Sequence, residues 1–586
     1  MKLQLTENKD YRPDIDGLRA VAVIAVILFH LGVLPNGYLG VDVFFVISGY
    51  LITGIIAREL QEGRFSIIGF YIRRTRRILP LTLCLVLVAL ITGIIVMLPD
   101  DLENLAQSVV ATNLFANNVL QAFTTKNYWD VVNEFKPLMH TWSLGVEEQY
   151  YIAYPLLIFV IGAHFRRLLL PALAVLALVS LGAYFIPLQS HVIFYHLPFR
   201  FFELAFGGIA ALWLGRKLVV HRLSPLLIGG LVVLMCLPPG WLPEKLALLA
   251  AVALSTGVIA TANGNSRISA VLLENKVTVG IGLISFSLYM WHQVILAYTR
   301  YFVVQRLEGR HIAATLLLIF ALSTVTYFLV EQPFRNKRVV RTGTLFAVVG
   351  FLFIITTLPA FYIYSKGGII KDIPELGISK TEARRNLHAE YNSRIYKYDK
   401  PFAADGGKIK VLVLGNSFAR DWANVLLESR QAEKLELSYA ANLFSSDEVR
   451  TRSRQADIIF YNSARKNDVK KLGIDESKLF VSGTKSFGFN CGYFYNYSGA
   501  DYFGQRTIME PGYLEYNELL KREWGERYLD LIGKVMDLKN TMPVFTPDKM
   551  FISQDCRHFT EAGARYFAAL FENELAAMFA SAGKRE

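Results

Sequence analysis

The sequence predicts a multi-span α-helical membrane domain of about eleven helices, followed by an extracytoplasmic α/β domain with a parallel sheet. Three observations carry that expectation. The 586 residues are 53% hydrophobic and only 19% charged, with a mean hydropathy of +0.34, against about 25% charged in soluble domains. Apolar runs long enough to cross a bilayer recur through the first 365 residues and then stop. From residue 409 the pattern changes to short buried-strand runs alternating with helical or loop segments. This composition excludes a disordered chain, and four cysteines exclude a disulfide-built scaffold.

Candidate spans lie at 18–34, 38–57, 78–98, 143–164, 168–187, 197–215, 223–238, 244–262, 280–298, 312–331 and 344–364. The first is no signal peptide, because GYLGVDVFF follows it where a small-residue cleavage site would stand. The formal charge of +12 divides into +9 over residues 1–365 and +3 over 366–586. Positive charge between apolar runs records membrane orientation, so no nucleic-acid partner is expected. With the N-terminus in the cytoplasm, the segments on that side hold 21 Lys/Arg, beginning with Lys2, Lys9, Arg12 and Arg19. The opposite side holds six: Lys126, Lys136, Lys245, Arg300, Arg306 and Arg310. An odd number of spans then places the tail outside the cytoplasm. The expected location is the inner (plasma) membrane, with the tail in the periplasm where there is an outer membrane.

The tail divides into a polar, irregular linker, 366–408, and an α/β domain, 409–586. IKVLVLG (409–415), ADIIFY (456–461) and KLFVSG (478–483) read as strands, and 563–578 as a C-terminal helix. Alternating strands and helices predict a parallel sheet.

Ionisable residues inside spans are functional candidates by default. Arg19 and His30 stand at the two ends of the first run, about 20° apart on one helical face and about 16 Å apart along the axis. A histidine satisfied by a neighbouring helix is the structural alternative. Asp42, Glu147, Glu148, Arg200, Glu203 and His292 fall at comparable depths and suggest an internal polar cavity, which transporters also have. Arg73, Arg74, Arg76 and Arg77 cluster in FYIRRTRRILP. They suit a phosphate-rich donor such as a coenzyme A thioester, and equally a plain orientation signal.

YRPDIDGLRAVAVIAVILFH, GYLGVDVFFVISGYLIT, FYIRRTRRILP, HTWSLGVEEQYY, SLYMWHQ and VEQPFR occur in that order. Residues 11–336 thereby resemble membrane acyltransferase family 3. The resemblance implies a ten-helix acyltransferase domain, here 1–336, with 337–365 as an eleventh helix. Such a domain takes acyl groups, usually acetyl, from cytoplasmic acyl-CoA. It also implies that Arg19 and His30 are essential, with His30 as base or transient acyl carrier. Arg73, Arg74, Arg76 and Arg77 would help to hold the donor, and Glu147 matches the glutamate of a TWSL-x-x-E motif.

In the tail, Ser417 follows a strand and precedes a helix in VLVLGNSFARD, and Asp555 and His558 share the loop DCRHFTEAG. Ser…Asp…His in this layout supplies a nucleophile, an orienting carboxylate and a base. The tail resembles the SGNH hydrolase-like domain often fused to this acyltransferase family. It has Gly415-Asn416-Ser417 where Gly-Asp-Ser is usual. The Gly-x-Asn-Asp block has no clean counterpart, and Asn462 is the best-placed candidate for the oxyanion hole. Cys491 and Cys556 lie in a compartment that permits a bridge between them, with two free thiols as the alternative.

The expected activity is transfer of acetyl from cytoplasmic acetyl-CoA to a hydroxyl of an envelope glycan. Lipopolysaccharide O-antigen is the favoured acceptor, ahead of peptidoglycan or exopolysaccharide. A glycan esterase and a transporter or flippase are the rival classes. The partners are then acetyl-CoA, an envelope carbohydrate and the bilayer, with no metal site and no permanently bound cofactor.

Overall fold

The computed structural model describes residues 11–124, 133–164, 166–213, 223–262, 267–381, 387–403, 407–441, 446–510 and 512–582. Lys2, Lys9 and Lys126 of the charge argument lie outside them, as do residues 214–215 at the end of the sixth apolar run. The chain divides into two compact units. The first comprises Met1–Gly93, Leu105–Arg300 and Arg306–Phe361; the second comprises Ile94–Asn104, Tyr301–Gln305 and Tyr362–Glu586.

The first unit is helical. Its principal helices are α1 (Pro13–His30), α2 (Gly40–Gln61), α3 (Ile67–Val96), α4 (Thr141–His164) and α5 (Leu197–Trp213), then α6 (Glu244–Thr261), α7 (Lys276–Leu283), α8 (Ser285–Phe302), α9 (Gly309–Thr326) and α10 (Thr342–Ser365). Among the described residues, five stretches are long and apolar enough to cross a membrane: Gly37–Gln61, Ile67–Val96, Glu244–Thr261, Gly309–Arg335 and Thr342–Ser365. The α7–α8 pair, bent by 65°, makes a sixth if it counts as one span. Four of the five remaining apolar runs, all but that of α4, fall short for identifiable reasons. Helix α1 carries Asp14, Asp16 and Arg19, and α5 carries Arg200 and Glu203 in 17 residues. Leu169–Tyr184 and Ser224–Cys236 are only 16 and 13 residues long. Leu178, Val233, Leu317, Phe351 and Leu358 are exposed on their helices, a surface suited to lipid.

Helices α2 and α5 approach until their backbones touch. A Cβ on Gly49 would lie 1.8 Å from the Leu204 carbonyl oxygen, and one on Gly207 would lie 1.9 Å from that of Val46. Small residues allow such contact between apolar helices. The approach buries Arg200 between Asp42 and Glu203, and it pairs with both.

The second unit carries a five-stranded parallel sheet of order β2-β1-β3-β4-β6. Its strands are β1 (Ile409–Leu414), β2 (Leu435–Ala440), β3 (Ile458–Asn462), β4 (Leu479–Ser482) and β6 (Tyr528–Leu529); β5 (Arg506–Ile508) and β7 (Thr541–Pro543) pair antiparallel beside it. The side-chain period of 2 divides β1 and β3 between two cores. Val411, Val413, Ile458 and Phe460 enter one, and Leu412, Leu414, Ile459 and Tyr461 the other. Strand β2 escaped the sequence reading because it is an edge strand carrying Glu436 and Ser438; β6 is only two residues long. The linker contains the short helix α11 (Leu387–Ser393), and its Ile373 and Ile395 are buried in the first of those cores. The C-terminal helical run breaks at Phe571 into α13 (Glu561–Leu570) and α14 (Glu572–Ala582).

Candidate active sites

In the second unit the chain leaves β1 for β2 on one side and later crosses to β3 on the other. Ligands of open parallel sheets bind at such a switch point, beyond the carboxyl ends of the strands. Ser417 stands there, as the first residue of helix α12 (Ser417–Glu428). Gly415 makes the turn at φ +126°, where an L side chain is strained. Asn416 caps the helix, its Oδ1 accepting from the Phe418 N–H at 3.0 Å.

Nε2 of His558 is 3.0 Å from Ser417 Oγ, and its Nδ1 is 2.5 Å from Asp555 Oδ2. The carboxylate accepts, so Nδ1 holds the proton and the Nε2 lone pair faces the serine hydroxyl. The other Asp555 oxygen accepts from the backbone N–H of His558 at 2.7 Å and of Arg557 at 2.9 Å, and from Ser553 Oγ at 3.1 Å. Burial opposes ionisation of Asp555, but the imidazole and these donors hold its carboxyl well below the usual range. Burial pushes the His558 imidazole down, against the pull of Asp555, and so keeps it neutral.

Two further ties hold this loop. Cys491 and Cys556 are bridged, with Cα atoms 5.8 Å apart. Asp421, one turn beyond Ser417 on α12, accepts from the Phe559 N–H at 3.3 Å and pairs with buried Lys485 at 2.6 Å. Sequence reasoning missed this pair. Its signal was an acidic residue at i+4 from the serine on the buried face of a helix.

Asn462 ends β3 beside Gly415, but its Nδ2 donates to the carbonyls of Ser482 and Gly483, each at 3.2 Å. The amide donors are therefore committed to carbonyls at the end of β4. The helix N-terminus at Ser417 supplies backbone N–H donors instead.

In the first unit, Arg19, Arg74, Arg77 and Glu147 line one pocket together with Ser48 and Tyr151. Glu147 accepts from Ser48 Oγ at 2.7 Å and from the Tyr151 hydroxyl at 3.3 Å. Three guanidinium groups around one carboxylate suit a phosphate-bearing ligand. The cluster is not a loop but part of helix α3, whose turn sends the other two arginines elsewhere. Arg73 is exposed and pairs with Glu59 at 2.9 Å. Arg76 is buried and donates to the carbonyls of Phe334 at 3.0 Å and Val340 at 2.8 Å, so it ties down the chain before α10.

His30 lies outside that pocket, as its distance from Arg19 along α1 requires. It lines a second cavity of about 410 Å³ with His140, Asp42, Arg200, Glu134 and Tyr289. Its Nδ1 donates to the Val26 carbonyl at 2.9 Å, which leaves the Nε2 lone pair free for chemistry. The His292 ring is 5.1 Å from that of His30 and 5.3 Å from that of His140. His292 Nδ1 donates to the Tyr289 carbonyl at 2.5 Å, and its buried Nε2 has no hydrogen-bond partner among the described residues. Neither His140, which opens the HTWSLG block, nor Tyr289 was singled out from sequence. Glu331 of VEQPFR accepts from Ser287 Oγ at 2.7 Å in a π-helical turn, Tyr327–Glu331.

Residues 12–364 match the acyltransferase domain family. The O-acetyltransferase OatA of Staphylococcus aureus (strain NCTC 8325 / PS 47) is 31% identical over 362 residues, which cover 57% of this chain and 59% of that protein. The putative O-acetyltransferase SAS0844 of Staphylococcus aureus (strain MSSA476) is 30% identical over 356 residues, 56% of this chain and 58% of that protein. The chain thus spans less than two thirds of the length of these relatives. No solved structure matches it. The family match ends before β1, so the parallel-sheet domain rests on its own geometry.

Proposed function

The chain belongs to the acyltransferase family, and from that premise we propose that it is a membrane O-acyltransferase moving acetyl from cytoplasmic acetyl-CoA to a hydroxyl of an envelope glycan. The observation that carries the reading is the hydrogen-bonded Ser417–His558–Asp555 chain, fused to an acyltransferase unit with an arginine-lined pocket. A transporter has no use for such a serine, and a free-standing esterase has no use for the pocket.

In this reading Arg19, Arg74 and Arg77 hold the phosphates of the donor. His30 serves as base or transient carrier while the thioester is cleaved and free CoA thiol leaves. Ser417 then receives the acetyl group: its hydroxyl proton passes to Nε2 of His558, Asp555 stabilises the imidazolium, and the imidazolium gives that proton to the departing carrier as the carrier–acyl bond breaks. The acceptor hydroxyl attacks the acyl-serine, gives its proton to His558, and restores the serine when that proton returns. The N-terminus is cytoplasmic in this scheme and the α/β domain extracytoplasmic, at the inner membrane. The printed names of the relatives support O-acetyl transfer. Lipopolysaccharide O-antigen is the favoured acceptor, with peptidoglycan and exopolysaccharide separated by the test itself.

That test is NMR of O-acetyl esters on purified envelope glycans from cells lacking the protein or expressing wild type or His30→Ala at matched levels. Loss of ester in the null and the His30→Ala strains is expected, and the spectrum identifies the sugar. Ester that rises in the null strain overturns the reading in favour of an esterase. No change in any glycan favours transport.

A further inference from the structure

The donor pocket and the histidine cavity share two wall residues, Tyr289 and Val41. Tyr289 is tied from both ends of the residue. Its hydroxyl donates to the His140 carbonyl at 2.9 Å and accepts from Ser143 Oγ at 2.6 Å. Its own carbonyl fixes the ring of His292. The Tyr289 ring lies 5.4 Å from that of His140 and 5.3 Å from that of His292, which in turn stacks edge-on against His30. Tyr289 also lines the other pocket, together with Ser143, Met290, Arg19, Arg74, Arg77 and Glu147. Nothing in the two cavities' polar linings overlaps except this tyrosine. One holds Arg19, Arg74, Arg77 and Glu147; the other holds His30 and His140 with Arg200, Asp42 and Glu134.

We propose that Tyr289, with Val41, is the partition across which the donor's acyl group is handed from the arginine-lined pocket to the histidine cavity, and that its ring couples thioester cleavage to productive transfer by excluding water. The proposal rests on the acyltransferase reading and adds to it a positioning residue. In the step concerned, the thioester C–S bond breaks and the acyl carbon bonds to the accepting nucleophile. The proton that the nucleophile loses ends on the departing thiolate. If the partition is opened, water takes the nucleophile's place, and the products are acetate and free CoA thiol.

The readout is therefore a ratio that a merely structural residue would not move: ester formed per CoA released. Membrane vesicles bearing the full chain are given [14C]acetyl-CoA on the donor side. Released thiol, free acetate and label fixed as ester are counted. For Tyr289→Ala, CoA release continues, label appears as acetate, and the ratio falls by roughly ten- to a hundredfold, the loss expected from a misplaced reacting group. Tyr289→Phe keeps the ring and holds the ratio within about fivefold of wild type, the worth of one hydrogen bond. Val41→Trp adds bulk at the other residue that both cavities share. It abolishes ester and CoA release while vesicles still retain bound acetyl-CoA. Because this variant loses no hydrogen bond, it tests the idea even where Tyr289→Ala fails to accumulate.

A Tyr289→Ala protein that lowers release and ester in parallel, at an unchanged ratio, overturns the partition. So does a Val41→Trp protein with wild-type turnover. A wild-type protein that releases no CoA from acetyl-CoA defeats the acyltransferase reading itself, which is a different failure.

Discussion

The two units each present a histidine tied through its Nδ1, but they hold it differently. His558 donates its Nδ1 proton to a carboxylate, and His30 donates its own to a backbone carbonyl one turn back, at Val26. Both devices fix the tautomer. Only the first stabilises positive charge on the ring once a proton arrives, because Asp555 carries the opposite charge. Among the described residues no carboxylate is hydrogen-bonded to the His30 ring, although Glu134 lines the same cavity; the rings beside it are those of Phe29 and His292, with His140 beyond. A base that must store a proton through a tetrahedral intermediate needs a counter-ion. An imidazole beside two others is better placed to pass its load on. Within the proposed relay, the contrast supports acyl-serine chemistry in the tail and a transient role for His30.

The largest effects break this contrast by crossing it. Ser417→Ala removes the nucleophile, and glycan ester is expected to fall by at least about a thousandfold. His30→Ala is expected to abolish glycan ester too, yet to leave the tail's hydrolysis of p-nitrophenyl acetate intact. Measured on the full chain, the two variants fail in different assays. If His30→Ala also removes the p-nitrophenyl acetate activity, the division of labour is abandoned.

Asp555→Asn sharpens the same point, since an asparagine cannot hold the Nδ1–H tautomer opposite Ser417. Hydrolysis of p-nitrophenyl acetate should drop by about a thousandfold or more. In the wild type, burial holds the His558 pKa below the ordinary histidine value. The rate is therefore lost as pH falls through a value below about 6.5, and it is level above that. The sign for stability is the same. Below about 6.5 the unfolded His558 binds a proton that the folded one refuses, so stability rises with pH there. Asp555, depressed in the fold, contributes stabilisation that is fully present above about pH 4 and fades as pH falls further. An acid limb above pH 6.5 would contradict the burial argument.

Much of both sites was legible in the residues. Ser417, Asp555 and His558 showed themselves because a strand-turn-helix and a short loop are local patterns, and the structure brings the three within hydrogen-bond reach. Arg19 and His30 were legible as polar residues in an apolar run. Pairings between distant helices were not. Nothing in RRTRR distinguishes Arg76, which binds the Phe334 and Val340 carbonyls, from Arg77, which lines the pocket. Only the helical phase after folding separates them. Tyr289 and His140 stayed hidden for a related reason, since an aromatic residue in a span reads as core until two cavities are seen to meet at it. Among the described residues five stretches, or six with the bent pair, have the length and composition of a span, and eleven stands as the expectation from sequence. Apolar composition alone does not report that a helix is 13 or 16 residues long.

A smaller effect is expected at the disulfide. Cys491–Cys556 closes a separation of 65 residues, for which loop-closure entropy predicts about 4 kcal/mol at most. Cys491→Ser should lower the tail's melting temperature under oxidising conditions, and dithiothreitol should lower it by a similar amount in the wild type and not at all in the variant. The acyl-serine chemistry should persist below the new melting temperature, since Asp421, Lys485 and the Asp555 hydrogen bonds still hold the loop. Full loss of activity at a temperature where the variant remains folded would show that the bridge positions His558 directly.

The smallest effect is expected where the sequence reading looked for a large one. An oxyanion donor removed from an acyl-transfer site costs about a hundred- to a thousandfold in rate. Asn462 occupies the right place in the chain, but its Nδ2 hydrogens are already given to the Ser482 and Gly483 carbonyls. Asn462→Ala should therefore cost less than about tenfold in hydrolysis of p-nitrophenyl acetate, in the range of a lost structural hydrogen bond, and should show that cost as reduced thermal stability. The N–H groups at the start of α12 then carry the oxyanion, and no side-chain substitution at 462 can remove them. A hundredfold loss of kcat with unchanged stability would mean that the amide turns toward the acyl group when one is bound, and would return the oxyanion role to Asn462.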